Sequence, residues 1–229
     1  MIAIFQDRQQ AGRALAHIVR DECPGDINPE HTIVLGLPRG GVPVAFEVAR
    51  ELHLPLDVFV VRKLGVPGRE ELAMGAIASG GAVVIQSEVM SAYRIGQETI
   101  DAVAARERLE IERREAAYRT GRPPLRLSGS TVILIDDGLA TGSTMKAAAR
   151  ALRPTASRIV VAIPVAAAST CQDLRHEVDQ LVCLQTPEPF YAVGGFYRNF
   201  GQTTDAEVRA LLSQSQESSR GRRATGSLW

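Results

Sequence analysis

No run of the 229-residue chain approaches the roughly 20 apolar residues that a bilayer crossing needs, so no membrane partner is expected. Charge of one sign is lacking as well. Lys and Arg number 26 and Asp and Glu number 26, a balance that speaks against a general nucleic-acid binder and leaves room only for a local basic patch. Cysteine is scarce: Cys23, Cys171 and Cys183 form no CxxC pair and no metal-ligand spacing. An odd count fits a reducing compartment better than a disulfide framework. The opening MIAIFQDRQQ carries charge too early for a secretory signal, and no internal repeat is visible. The expectation is a cytoplasmic protein. With 45% hydrophobic and 23% charged residues it can build a substantial core, and its length suits one domain, here drawn over residues 1–212.

Apolar periodicity predicts a helix over residues 7–20, a strand over 32–36, a helix over 43–52 and a buried strand over 56–61. Residues 62–71 hold Gly and Pro without a clear period. A strand over 82–85 precedes a long charged helical pattern over 87–118, read as a solvated face laced with i,i+4 pairs and ended by Pro123-Pro124. Residues 131–135 form a continuous apolar run, as in a parallel strand buried on both faces. A helix of about ten residues starting near Gly142 and strands over 158–164 and 178–184 complete the pattern. Residues 213–229, rich in Ser, Gln, Arg and Gly, read as a disordered tail. Strands alternating with helices imply an α/β fold with a mainly parallel sheet flanked by helices, in which ligands sit at the carboxyl ends of the strands.

Three segments follow strong strands. In Val132-Ile-Leu-Ile-Asp-Asp-Gly-Leu-Ala-Thr-Gly-Ser-Thr144, Asp136 and Asp137 emerge from a buried strand, and Ala140, Thr141, Gly142, Ser143 and Thr144 open a helix. Small side chains let backbone N–H groups approach an anion, the helix start adds favourable partial charge, and three hydroxyls add donors. Carboxylates beside a phosphate cradle would repel the ligand unless they served it in another way, by accepting hydrogen bonds from vicinal ribose hydroxyls or by helping to hold Mg²⁺. Gly36-Leu-Pro-Arg-Gly-Gly41 offers glycines for close backbone approach, at Gly40 and Gly41, and the donor fork of Arg39. Arg62 and Lys63 put two cations after the run 56–61.

The 13-residue segment resembles the phosphoribosyl-pyrophosphate signature of the type I phosphoribosyltransferases. The resemblance covers roughly residues 5–212 and implies that family's fold, with a hood built from both chain ends (including about 185–212) and a helical insertion at about 87–124. It further implies that Asp136 and Asp137 meet the ribose 2′- and 3′-hydroxyls, directly or through water at Mg²⁺, and that Ala140 to Thr144 cradle the 5′-phosphate. The loop 37–41 takes the pyrophosphate and contains a cis peptide. Arg39 and Lys63 act as catalytic cations, Arg62 joins them in binding, and residues 64–71 form a flap. Phe190 or Tyr191 stacks on the acceptor. Arg8, in a segment similar to the opening of one branch of the family, is within reach of a phosphate but is read here as a surface cation.

The implied activity is transfer of the phosphoribosyl group of 5-phosphoribosyl-1-pyrophosphate to a nitrogenous acceptor, with Mg²⁺, release of pyrophosphate and a place in nucleotide metabolism. At position 140 the 6-oxopurine enzymes usually carry an acid; the alanine found here speaks against hypoxanthine or guanine and leaves no general base in view. Sensing of the same ester without turnover, by a regulatory binding protein, is the competing reading, and the cations Arg39, Arg62 and Lys63 favour the enzyme. A second copy of the chain is a candidate partner through residues 87–124.

Overall fold

The computed structural model describes residues 4–23, 25 and 27–225. In chain order the elements are α1 (Arg8–Glu22), β1 (Thr32–Gly36), α2 (Gly41–Glu51), β2 (Leu56–Val58), β3 (Val61–Val66), β4 (Arg69–Ala78), β5 (Val83–Ile85), α3 (Ser87–Tyr93), α4 (Gln97–Tyr118), β6 (Thr131–Ile135), α5 (Ser143–Leu152), β7 (Arg158–Val165), α6 (Ala168–Arg175), β8 (Gln180–Gln185) and α7 (Asp205–Thr225). Five strands form one parallel sheet in the order β2-β1-β6-β7-β8. Successive residues of β6 explain its unbroken apolar run. Ile133 and Ile135 join a core with Leu15 and Val19 of α1 and Val44 and Val48 of α2, while Val132 and Leu134 join another with Met145 of α5 and Leu174 of α6. Both faces are covered, and the strand ends are left to carry polar groups.

Several expectations are corrected. The apolar run 56–61 is not one strand. β2 stops at Val58, Phe59 and Val60 stay buried through a bend, and Val61 starts a three-stranded antiparallel sheet of order β3-β4-β5. Ser79 fixes that bend, accepting from the Val60 N–H through its hydroxyl at 2.9 Å and donating its own N–H to the Val60 carbonyl at 2.8 Å. Continuous burial hides such a break because the apolar pattern does not change across it. The aperiodic stretch 62–71 falls in the β3–β4 hairpin; register shifts around Gly65 erase the period-two signal, and Gly68 turns with φ of 75°. The helical pattern 87–118 is two helices, divided where Arg94 adopts φ of 53°. The eight-residue α6, rich in small polar residues, was not foreseen.

Residues 213–225, expected as a disordered tail, continue α7 straight through the boundary drawn at residue 212. Val208, Leu212 and Ser215 are buried, so packing compensates for a composition poor in apolar residues. Residues 226–229 of that expected tail lie outside the described residues. The segment around Phe5 joins residues 196–198: Phe5 N–H donates to the Phe196 carbonyl at 2.9 Å, and Arg198 N–H returns to the Phe5 carbonyl at 2.8 Å. Among the described residues no helix is long and apolar enough to cross a membrane.

Candidate functional site

β6 delivers Asp136 and Asp137 at its carboxyl end, and the loop 37–41 leaves β1 beside them. Leu37 N–H donates to the Ile135 carbonyl at 2.9 Å, tying the two exits together. The glycines make this approach feasible. A Cβ on Gly40 would lie 2.1 Å from Asp137 Oδ2, and one on Gly41 would lie 2.6 Å from the Ile135 carbonyl oxygen. The Pro38–Arg39 peptide is cis.

The helix start lies one loop further on. Gly142 turns the chain with φ of 66°, and among the described residues no side chain caps α5. The hydroxyl of Thr170, on α6, donates to the Ala140 carbonyl and steadies the loop. Thr141, Ser143 and Thr144 are exposed, with the Thr141 and Ser143 hydroxyl oxygens 3.4 Å apart. First-turn N–H groups without an intrahelical partner, flanked by hydroxyls, suit an anion.

Asp136 Oδ1 accepts the Asp137 N–H at 2.9 Å. Burial, then repulsion from Asp137, pushes the Asp136 carboxyl well above the ordinary aspartate value. Burial pushes Asp137 up as well, and its partner Arg8 pulls it back. Arg8 is therefore no surface cation. Its Nε donates to Asp137 Oδ2 at 2.8 Å, its guanidinium lies 3.9 Å over the Phe200 ring, and the two charged side chains are only 12% and 14% exposed. Tyr197, from the hood, donates its hydroxyl to the Asp137 carbonyl at 2.5 Å. The sequence signal for Arg8 was its place one residue after the helix-capping Asp7; nothing local marked Tyr197.

The cations divide. Arg39 stands at the loop, with Nε 3.3 Å from Asp205 Oδ1. Lys63 is exposed and shares with Ser143 and Lys146 the wall of a cavity of about 260 Å³ between the antiparallel sheet and α5. Arg62, its neighbour on β3, faces the other way, as strand alternation requires, and pairs with Glu107 of α4 at 2.9 Å. Sequence adjacency thus suggested a joint role that the pleat does not bring together. Phe190 stacks on Phe196 with ring centroids 5.2 Å apart, inside the hood cluster, whereas Tyr191 is 88% exposed.

Among the described residues no three His, Cys, Asp or Glu side chains converge to hold a metal. Asp136 and Asp137 fit Mg²⁺ only as part of a shell whose other oxygens come from a bound ester and water, the usual arrangement for this hard ion. A wider cleft of about 800 Å³, beside Leu125 and the carboxyl end of α5, contains none of these groups. Carboxylates, hydroxyls and free N–H groups locate the site better than volume does.

Residues 2–200 match the family described as phosphoribosyl transferase domain. Two curated Mycobacterium tuberculosis proteins, from strains CDC 1551 / Oshkosh and ATCC 25618 / H37Rv, are each named "Putative phosphoribosyl transferase". Both are 44% identical over 213 residues, 93% of this chain and 47% of theirs, so the chain spans about half the length of the curated relatives it matches. Among solved structures, TT1426 from Thermus thermophilus is 40% identical with a TM-score of 0.81, covering 92% of this chain and 98% of that one.

Proposed function

The chain belongs to the phosphoribosyl transferase family, and on that premise we propose that it binds 5-phosphoribosyl-1-pyrophosphate at the carboxyl end of β6 and transfers the phosphoribosyl group to a nitrogenous acceptor. The supporting observation is the interlock of two glycines with two carboxylates beside the uncapped start of α5. In this reading Asp136 and Asp137 accept the ribose hydroxyls, and residues 140–144 cradle the 5′-phosphate. Gly40, Gly41 and Arg39 take the pyrophosphate, and Lys63 adds charge from the hairpin side. Tyr191 is the free aromatic for stacking on the acceptor, and Phe190 shapes the hood behind it. Arg62 serves the hairpin's attachment to α4.

The reaction is displacement at the sugar C1: the acceptor nitrogen forms the new bond as the bond to pyrophosphate breaks. The electron pair of that bond leaves with pyrophosphate, and positive charge grows on the ring as in glycoside cleavage. Arg39 and Lys63 offset the charge developing on the departing group, and fixed geometry supplies most of the rest. Mg²⁺, when bound, neutralises pyrophosphate oxygens. Ala140 transfers no proton, so an acceptor that ionises readily suits the site. The same alanine favours the second reading, sensing of the ester without turnover.

Calorimetry with the ester and Mg²⁺ tests the site. We expect binding by the native chain and none by the Asp136→Ala/Asp137→Ala variant; undiminished binding by that variant rejects the assignment. Pyrophosphate release across a panel of bases and amines then separates the readings: release supports transfer, and silence with intact binding supports sensing.

A further inference from the structure

Arg39 is tethered from the start of α7, a segment distant in sequence from its own loop. Its Nε lies 3.3 Å from Asp205 Oδ1, and its Nη1 donates to the Thr203 carbonyl at 3.5 Å. The same Asp205 oxygen accepts the Tyr118 hydroxyl at 2.6 Å. Neither anchor is loose. Asp205 opens α7, whose start is held by a reciprocal cap: Glu207 accepts the Thr204 N–H at 2.7 Å, and Thr204 Oγ1 accepts the Glu207 N–H at 3.2 Å. Tyr118 closes α4 and is buried. Hydrogen bonding from Tyr118, with Arg39 nearby, holds the Asp205 carboxyl below the ordinary aspartate value, so it is ionised at neutral pH.

A guanidinium carries five N–H donors. Thr203 accepts from one of them and Asp205 pairs with the charge beside Nε, while the Arg39 side chain remains 38% exposed, so its outer edge is open to a further acceptor. A long cationic side chain loses rotamer freedom when it seats a phosphate, and one already tethered by its inner edge loses less.

We propose that Asp205 and Tyr118 are positioning residues for Arg39, orienting its guanidinium to receive a phosphate of the ester at loop 37–41. The proposal rests on the reading of the site given above. It also gives the helical insertion a role, because the last turn of α4 forms one end of the tether. The opposite possibility is that Asp205 withholds Arg39 from ligand; the sign of the effect on affinity distinguishes the two.

The test titrates the full chain with 5-phosphoribosyl-1-pyrophosphate and Mg²⁺, and separately with inorganic pyrophosphate and Mg²⁺, in the variants Asp205→Asn, Tyr118→Phe, Arg39→Ala and Asp205→Asn/Arg39→Ala. Asp205→Asn and Tyr118→Phe should each weaken both ligands by about two- to fivefold, the scale of a partly exposed ion pair. Arg39→Ala should weaken them more, and in that background Asp205→Asn should add nothing, which a general structural defect does not reproduce. Tighter binding by Asp205→Asn overturns the proposal, as does an equal loss in both backgrounds. Unchanged binding by Arg39→Ala overturns it while leaving the carboxylate site standing. Absence of ester binding in the native chain defeats the site reading and this proposal with it.

Discussion

Gly40 and Gly41 are neighbours in sequence, yet alanine at the two positions should do different things. In a helical or near-helical backbone Gly→Ala ordinarily stabilises by about 0.4–1 kcal/mol through the unfolded chain. At Gly41 the added Cβ meets backbone: the Ile135 carbonyl oxygen at 2.6 Å and Asp136 Cα at 2.8 Å. Ordinary contact begins near 3.4 Å, so the end of β6 must retreat by the better part of an ångström. β6 is central, paired to β1 and β7, and Ile135 also accepts the Leu37 N–H. Overpacking costs about 1–3 kcal/mol and a lost hydrogen bond about 1 kcal/mol, against the small entropic gain. We therefore expect Gly41→Ala to lose about 1–3 kcal/mol net, or about 3–10 °C of Tm in a chain of this size. At Gly40 the Cβ meets the Asp137 carboxylate, 2.1 Å from Oδ2, which can rotate away at the expense of its bond to Arg8. Gly40→Ala should melt within about 1 kcal/mol of the native chain, while on the proposed reading ester binding falls at least about tenfold, because the displaced carboxylate would no longer reach the ribose. Thermal denaturation and calorimetry on both variants decide the matter. A Gly41→Ala chain that melts at or above the native temperature and binds normally would show that the two loops do not touch as described.

Two further outcomes follow from the charges. Asp136 has a folded-state carboxyl raised above its unfolded value, so its ionisation opposes folding: stability is fullest below the ordinary aspartate value of 3.8 and is lost as pH rises through the folded-state value. Asp136→Asn should accordingly melt higher than the ligand-free native chain at neutral pH, by about 1 kcal/mol or about 2–4 °C, and should lose that advantage near pH 4; an advantage unchanged across that range contradicts the sign assigned. Lys63→Ala should weaken ester binding several-fold with little change in Tm, whereas Arg62→Ala should leave affinity intact and lower Tm, because the Glu107 carboxylate, largely buried, loses a partner. Equal binding losses in the two variants, measured by calorimetry, would mean that the hairpin does not divide them as strand alternation requires.

The parallel sheet was legible because β1, β6 and β7 are buried on both faces and read as apolar runs, and because a helix of small residues follows the acids of β6. Of the antiparallel sheet only β5 was, as the strand read over 82–85. The sheet's bulged hairpin has no clean alternation, and the buried bend at Phe59 and Val60 joins β2 to β3 without a polar mark. The site's central segment was equally legible, since the chemistry of Asp136 to Thr144 is local. What composes the rest of the site comes from distant chain: Arg8 is 129 positions from Asp137, and Tyr197 is 60. Asp205 did carry a signal, the Thr204-x-x-Glu207 capping box, which places a helix start after the hood but does not say what its first carboxylate touches.

These long-range partners share one logic. In the proposed reading an acid accepts the ribose hydroxyls best when ionised, and burial at a crowded strand end works against that. Among the described residues no cation pairs with Asp136, and its carboxyl is pushed well up with the charge of Arg8 as the least of the influences on it; Asp137 is paired with Arg8, which opposes the same push directly. Arg8 is itself restrained, by the Phe200 ring on one side and the Gly201 carbonyl, 2.7 Å from Nη1, on another. The charge that opposes the rise at Asp137 is thus delivered by the first turn of α1 and braced by residues 200 and 201. On the proposed reading, loosening the contact between the segment around Phe5–Arg8 and residues 196–201 should therefore lower affinity for the ester even where none of residues 196–201 touches it.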